Sequence, residues 1–192
     1  MLKVGTIILS IFLVGCSTIQ REESLASQQF ERLDLAIKHV KPLTDLNLGN
    51  IKKVRVGDAS PMYESEKIKG RFEVLNVKAL EASDFSISVV GRCDCLGFRK
   101  WAPIPMVVMT TEDGVVVSEG KFGTPNGQTI SGRFPVPGAY KLFIAADRTQ
   151  DGKRLSEIQA IYAYGGVVAP FSLPLVAHSV GDFDVVWMVP KK

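Results

Sequence analysis

A strict alternation of apolar and small polar residues near the middle of the chain restricts the fold more than any other feature of the sequence. Phe85, Ile87 and Val89 alternate with serines, so an extended backbone places the three apolar side chains on one face. Residues 105–111 and 115–118 are two further runs rich in β-branched residues, and the Asp-Gly pair between them is typical of a tight hairpin. The pattern predicts antiparallel strands that each bury one face.

Turn residues divide most of the remaining chain into further short strands. We therefore predict a mainly β fold, an antiparallel β-sandwich of jelly-roll type, preceded by one N-terminal α-helix. Residues 43–65 are predicted to be a connector with one strand at 51–56, and residues 155–164 either a strand or a short helix. Further strands are expected at residues 128–134, 140–146 and 184–189. The side chains expected to point inward are Phe85, Ile87, Val89, Val107, Tyr140, Leu142 and Ile144.

Apolar residues recur at helical spacing before the first predicted strand. This spacing predicts a helix over residues 22–41, which Pro42 ends because proline disfavours helical geometry in the residue before it. The apolar face consists of Leu25, Phe30, Leu33, Ile37 and Val40. That face packs either on the chain's own domain or on a partner, and the sequence leaves both alternatives open.

The first residues form an export signal rather than a membrane-spanning helix. Lys3 precedes an uncharged run at residues 4–15, which is shorter than the roughly 20 apolar residues that cross a bilayer. A basic residue, a short apolar core and small residues at its end are typical of a secretory signal. The folded domain is therefore expected to begin after this segment.

The apolar run ends in Leu13-Val14-Gly15-Cys16, which resembles the lipobox of bacterial lipoproteins. The resemblance implies that residues 1–15 are removed and that Cys16 becomes the acylated first residue, and two or more acyl chains give stable anchoring. An aspartate after the cysteine is the family's feature for retention at the inner membrane, whereas Ser17 stands there. We expect an outer-membrane lipoprotein that faces the periplasm, with residues 16–42 as tether and helix and residues 43–192 as the sandwich.

Residues 70–148 carry a second resemblance. A strand pair joined at Asp113-Gly114 and a Gly-x-Tyr sequence at residues 138–140 leading into a core strand are similar to two jelly-roll groups. These are the pre-peptidase C-terminal type of domain and the maltose-operon periplasmic protein family. The sequence departs from both at residues 92–101. The resemblance implies a β-sandwich with a binding or accessory role rather than catalysis.

Cys93 and Cys95 are the two cysteines left when Cys16 is acylated. An oxidising compartment favours a disulfide between them, and we expect it to mark a loop, because two positions of an extended strand lie at or beyond the usual Cα separation of a disulfide. Free thiols, a strained redox pair and a soft-metal site are the alternatives that the sequence leaves open.

The group formed by Arg92, Arg99 and Trp101 is the candidate ligand-binding set. Tryptophan and arginine are common at binding hot spots, and an aromatic face also suits a sugar ring. The alternative for Trp101 is a place in the core. His178 with Ser179 and Asp182 would be the one local candidate for a catalytic triad, but adjacent residues rarely point in the required directions.

No cofactor, metal site or nucleic-acid partner is expected. Lys and Arg number 23 against 20 Asp and Glu, so the chain lacks the basic excess of a nucleic-acid-binding protein, and paired Cys or His motifs of a zinc site are missing. We expect a non-enzymatic envelope protein that binds a protein or glycan partner. The alternatives are a carbohydrate-binding accessory lipoprotein and a hydrolase whose site forms only on folding.

Overall fold

The computed structural model describes residues 25–94, 100–120, 127–164 and 167–188. These residues form short strands joined by turns, together with the helix α1 (Leu33–His39) and a 3-10 turn (Arg148–Gln150). The strands are β1 (Gln29–Phe30), β2 (Asp45–Leu46), β3 (Ile51–Val56), β4 (Met62–Glu64), β5 (Lys69–Ala79), β6 (Asp84–Gly91), β7 (Lys100–Pro103), β8 (Pro105–Thr111), β9 (Val116–Glu119), β10 (Gly127–Arg133), β11 (Gly138–Ala146), β12 (Arg154–Tyr164), β13 (Val167–His178) and β14 (Gly181–Met188).

Two sheets pack face to face, which confirms the predicted sandwich. A seven-stranded sheet has the order β1-β4-β5-β11-β8-β9, with β2 also paired to β5, and a four-stranded sheet has the order β10-β6-β14-β3. The main core lies between them. All seven side chains predicted to point inward are at most 2% exposed, because alternation in each strand sends every second residue to the same face.

The outer face of the seven-stranded sheet is also buried. Phe72, Val74 and Phe143 point away from the main core and form a second apolar cluster with Ala36 and Ile37 of α1. The helix therefore packs on the chain's own sheet. No helix within the described part of the chain has the length and apolar character needed to cross a membrane.

The helix is shorter than predicted. Residues 25–26 are helical, but Gln29 and Phe30 form β1, so α1 begins only at Leu33. It ends at His39, two residues before the predicted end at residue 41. The reason is tertiary pairing: β1 runs parallel to β4, with Gln29 opposite Met62. Such pairing overrides a local helical pattern. Residues 22–24 lie outside the described part of the chain.

The sheets are not entirely antiparallel, which corrects a second expectation. β1 with β4, β2 with β5, and β7 with β13 pair in parallel. The connector also contains β2 and β4 besides the predicted β3, and residues 155–164 belong to a strand, β12. A third sheet of order β12-β13-β7 stands beside the sandwich, and it positions the candidate site.

Candidate functional site

A cavity of about 840 Å³ opens at one end of the sandwich. Its walls come from the β3–β4 turn, the inner face of β5, the end of β6, and the beginning of β14. The third sheet closes one side through β7 and the end of β13. This volume lies within the range of about 300–1,000 Å³ that is typical of small-molecule sites.

Two glycines seat β7 against the four-stranded sheet. Gly91 ends β6 and Gly181 begins β14, and a Cβ atom at Gly91 would overlap the carbonyl oxygen of Pro103. At Gly181, a Cβ atom would lie 2.8 Å from both Cγ and Cδ of Pro103. The missing side chains therefore allow Pro103 to rest directly on the backbone of the sheet, and this contact fixes the strand that carries Trp101.

Trp101 is held in the cavity wall from both sides. Its backbone pairs with Asp94, whose N–H donates to the Trp101 carbonyl over 2.9 Å. Its ring stacks on the imidazole of His178, with 5.1 Å between centroids and 27° between planes. The indole is partly exposed, so it presents an oriented aromatic surface to the cavity.

His178 supports this ring and is itself held by the backbone. Its Nδ1 accepts a hydrogen bond from the backbone N–H of Val180 over 3.3 Å, with the Val180 carbonyl at 3.2 Å. Among the described residues, neither Ser179 nor Asp182 bonds to the imidazole. The local triad that the sequence offered is not assembled.

Charged groups of both signs surround the cavity. Arg55 and Arg92 supply guanidinium groups, and Asp58, Asp94 and Asp182 supply carboxylates. All five residues are exposed. Arg92 lies 3.7 Å from a carboxylate oxygen of Asp184 with its side chain 46% exposed, so this ion pair is loose and water-accessible.

Glu73 is the most deeply placed charged residue of the cavity. It has the same orientation on β5 as Leu75 and Val77 of the main core. The Ser60 hydroxyl donates to Glu73 Oε1 over 2.5 Å and accepts from the Gly57 backbone N–H over 3.1 Å. Burial raises the pKa of the Glu73 carboxyl, and the Ser60 hydrogen bond opposes that rise. Ser60 is only 4% exposed, and its two hydrogen bonds stabilise the turn.

The structure brings together two of the three predicted ligand-binding residues, Arg92 and Trp101. Arg99, Cys16 and Cys95 lie outside the described residues. Cys93 follows the end of β6, lines the cavity and is disulfide-bonded; its pairing with Cys95 stays a prediction.

Sequence reasoning missed Glu73 and the ring-supporting role of His178. For Glu73 a signal was available, since a carboxylate stands in strand register with the apolar residues that follow it. For His178 there was no local signal, because its partner Trp101 is distant in sequence.

Within the described ranges, no three His, Cys, Asp or Glu residues are grouped so that they could hold a metal ion.

No protein-family model and no curated protein matches this sequence. Among solved structures, the pre-peptidase C-terminal domain of a collagenase from Bacillus anthracis is similar to the chain at 13% identity with a TM-score of 0.40. The match covers 77% of this chain and 96% of that domain. It is a domain of the type that residues 70–148 resemble, but a similarity of this size carries no argument about function. The strand pairing of the chain itself defines its fold.

Proposed function

We propose that this protein is an outer-membrane lipoprotein whose β-sandwich binds a ligand in the end cavity, without catalysis, as part of an envelope-binding or assembly role. The observation that carries the proposal is the cavity, which combines a fixed aromatic ring at Trp101 with exposed guanidinium and carboxylate groups. Concave sites with an aromatic wall and a few convergent polar groups are typical of ligand binding.

The anchor in this proposal is Cys16. The lipobox sequence Leu13-Val14-Gly15-Cys16 and the short apolar run before it support acylation, and Ser17 supports transfer to the outer membrane. The folded chain then faces the periplasm.

The absence of catalysis in this proposal rests on how the reactive side chains are used. Ser60 is buried in a turn, and His178 is turned onto the Val180 backbone and onto Trp101. A general base must lie within hydrogen-bond reach of the group that it deprotonates. In this proposal these two residues support the shape of the cavity and do not transfer protons.

The anchor is tested by comparing the full chain with its Cys16→Ser variant. We expect the wild-type protein to sediment with outer membranes and to incorporate a labelled fatty acid, and the variant to lose the label and to leave the membrane or persist as an uncleaved precursor. Mass spectrometry of the mature N-terminus gives an independent measurement. An unacylated mature chain that begins at another residue would refute the lipoprotein assignment.

The binding role is tested with the detergent-extracted full chain against three sets of probes: neutral saccharides, zwitterionic short peptides, and singly charged organic ions. We expect at least one set to bind saturably and Arg92→Ala to weaken that binding. Arg133→Ala is the matched control, because Arg133 lies on β10, is 69% exposed and does not line the cavity. Equal loss in both variants, or no binding of any probe, would refute the cavity as a ligand site.

A further inference from the structure

We infer that the ligand of the end cavity is a neutral saccharide, with one sugar ring packed against Trp101 and its hydroxyl groups bonded to the surrounding carboxylates and guanidinium groups. The inference rests on the proposed function, because it names the ligand class of that same cavity.

The mixture of charges in the cavity favours a neutral ligand over one with a net charge. An anion that approaches Arg55 or Arg92 also meets the carboxylates of Asp58, Asp94 and Asp182, with Glu73 deeper in the cavity. A cation drawn to those carboxylates meets the two guanidinium groups. An ion of either sign therefore meets groups of its own sign in this lining.

Hydroxyl groups fit the same lining without conflict. A carboxylate only accepts hydrogen bonds and a guanidinium only donates them, whereas a hydroxyl does both. A ligand with several hydroxyls can therefore donate to Asp94 and Asp182 and accept from Arg92 at the same time. Hydrogen bonds to charged groups are also stronger than those between neutral groups.

The aromatic wall distinguishes a sugar from other polyols. Stacking on His178 and backbone pairing with Asp94 fix the Trp101 ring before any ligand arrives, and preorganisation of this kind lowers the cost of binding. An aromatic ring buries apolar area with a defined orientation. A pyranose ring offers a flat face of C–H groups that matches it, while its hydroxyls point outward to the charged rim.

A zwitterionic peptide is the competing ligand, since it also carries both signs. It would satisfy the charged rim through its termini, and its affinity would depend on Arg92 and Asp182 rather than on the ring of Trp101. The difference between the two ligands therefore lies in their dependence on Trp101.

The experiment uses the fluorescence of Trp101 itself. The chain has two tryptophans, so the full-length Trp187→Phe variant, extracted in detergent, reports on Trp101 alone. It is titrated with neutral mono- and oligosaccharides, with zwitterionic dipeptides, and with a sugar acid and an amino sugar as charged counterparts. The reciprocal variant Trp101→Phe, which reports on Trp187, is the matched control.

We expect a saturable fluorescence change with a neutral saccharide in Trp187→Phe and none in Trp101→Phe. In calorimetry, Trp101→Ala should weaken the same saccharide at least tenfold, and Arg133→Ala should leave the affinity unchanged. Saturable binding of dipeptides or charged probes without any neutral saccharide overturns the saccharide inference but leaves the proposed binding function standing. Binding of no probe at all refutes both.

Discussion

Gly91→Ala offers the sharpest test of how the cavity wall is built. A Cβ atom at this position would overlap the carbonyl oxygen of Pro103 and lie 3.2 Å from its carbonyl carbon and 3.3 Å from Cδ. The carbonyl belongs to the backbone of β7, so no side-chain rotation relieves the overlap. Pro103 must retreat by about 1 Å or more to reach an ordinary van der Waals separation.

The retreat has an energetic cost and a local consequence. Overpacking a tight site costs about 1 to 3 kcal/mol, and a domain of this size loses roughly 2–4 °C in Tm for each kcal/mol. Because Pro103 pairs with His178 and Trp101 pairs with Val176 in the same strand, the displacement also disturbs the contact between Trp101 and His178.

Urea denaturation measures the change in the free energy of unfolding, and the emission of Trp101 in the Trp187→Phe background measures the local change. Gly138→Ala is the matched control, because a Cβ atom there meets nothing within 4 Å. This variant should unfold at the same urea concentration as the wild type or at a slightly higher one. If Gly91→Ala matched Gly138→Ala in stability and left the Trp101 emission unchanged, the role of Gly91 in seating β7 would be wrong.

Three further predictions concern single groups. Tyr140→Phe removes the hydrogen bond that the buried hydroxyl donates to the Val136 carbonyl over 2.7 Å; it should cost about 0.5 to 1.5 kcal/mol in urea denaturation, and an unchanged midpoint would argue against this bond. Burial raises the pKa of Glu73 above its usual 4.5, so the folded state binds this proton more tightly than the unfolded state and stability falls as pH rises from 4.5 towards the raised value. Glu73→Gln should flatten that part of the pH–stability profile, and an equally steep profile in the variant would assign the slope to another group. Thiol titration of the denatured, unreduced protein should find Cys93 and Cys95 oxidised, and two free thiols would rule out their bridge.

The strands were predictable where one face is buried and the other is polar. Phe85, Ile87 and Val89 alternate with serines, and the serines lie on the outer face of the four-stranded sheet beside β10. β5 was harder to read, because both of its faces are covered: Phe72 and Val74 contact the second cluster, while Leu75 contacts the main core. A strand buried on both sides loses the alternation that identifies it.

The direction of pairing and the end of the helix were not predictable from local pattern. β7 and β13 are far apart in sequence, and nothing in either strand specifies that they run parallel. Residues 29–30 continue a helical spacing, yet their backbone pairs with β4. These features depend on contacts between distant segments, which periodicity does not encode.

The candidate site was predictable only where its residues cluster in sequence. Arg92 and Trp101 stood out because basic and aromatic residues are most concentrated at residues 92–101. His178 and Glu73 reach the same cavity from strands far along the chain in either direction. Their contribution depends on how the third sheet and β5 meet, which only the fold reveals.

If Cys16 is acylated, the parallel pairing of β1 with β4 also limits how far the cavity can lie from the membrane. Gln29 pairs with Met62, two residues beyond Ser60 of the cavity-lining turn, so the N-terminal segment joins the sandwich at the same end as the cavity. From Cys16 to Gln29 a fully extended chain reaches at most about 45 Å. An acyl anchor on Cys16 would thus make this segment a short tether and keep the cavity within a few nanometres of the lipid surface. Its natural ligand would then be one that is displayed or released close to that surface, rather than one sampled across the whole depth of the periplasm.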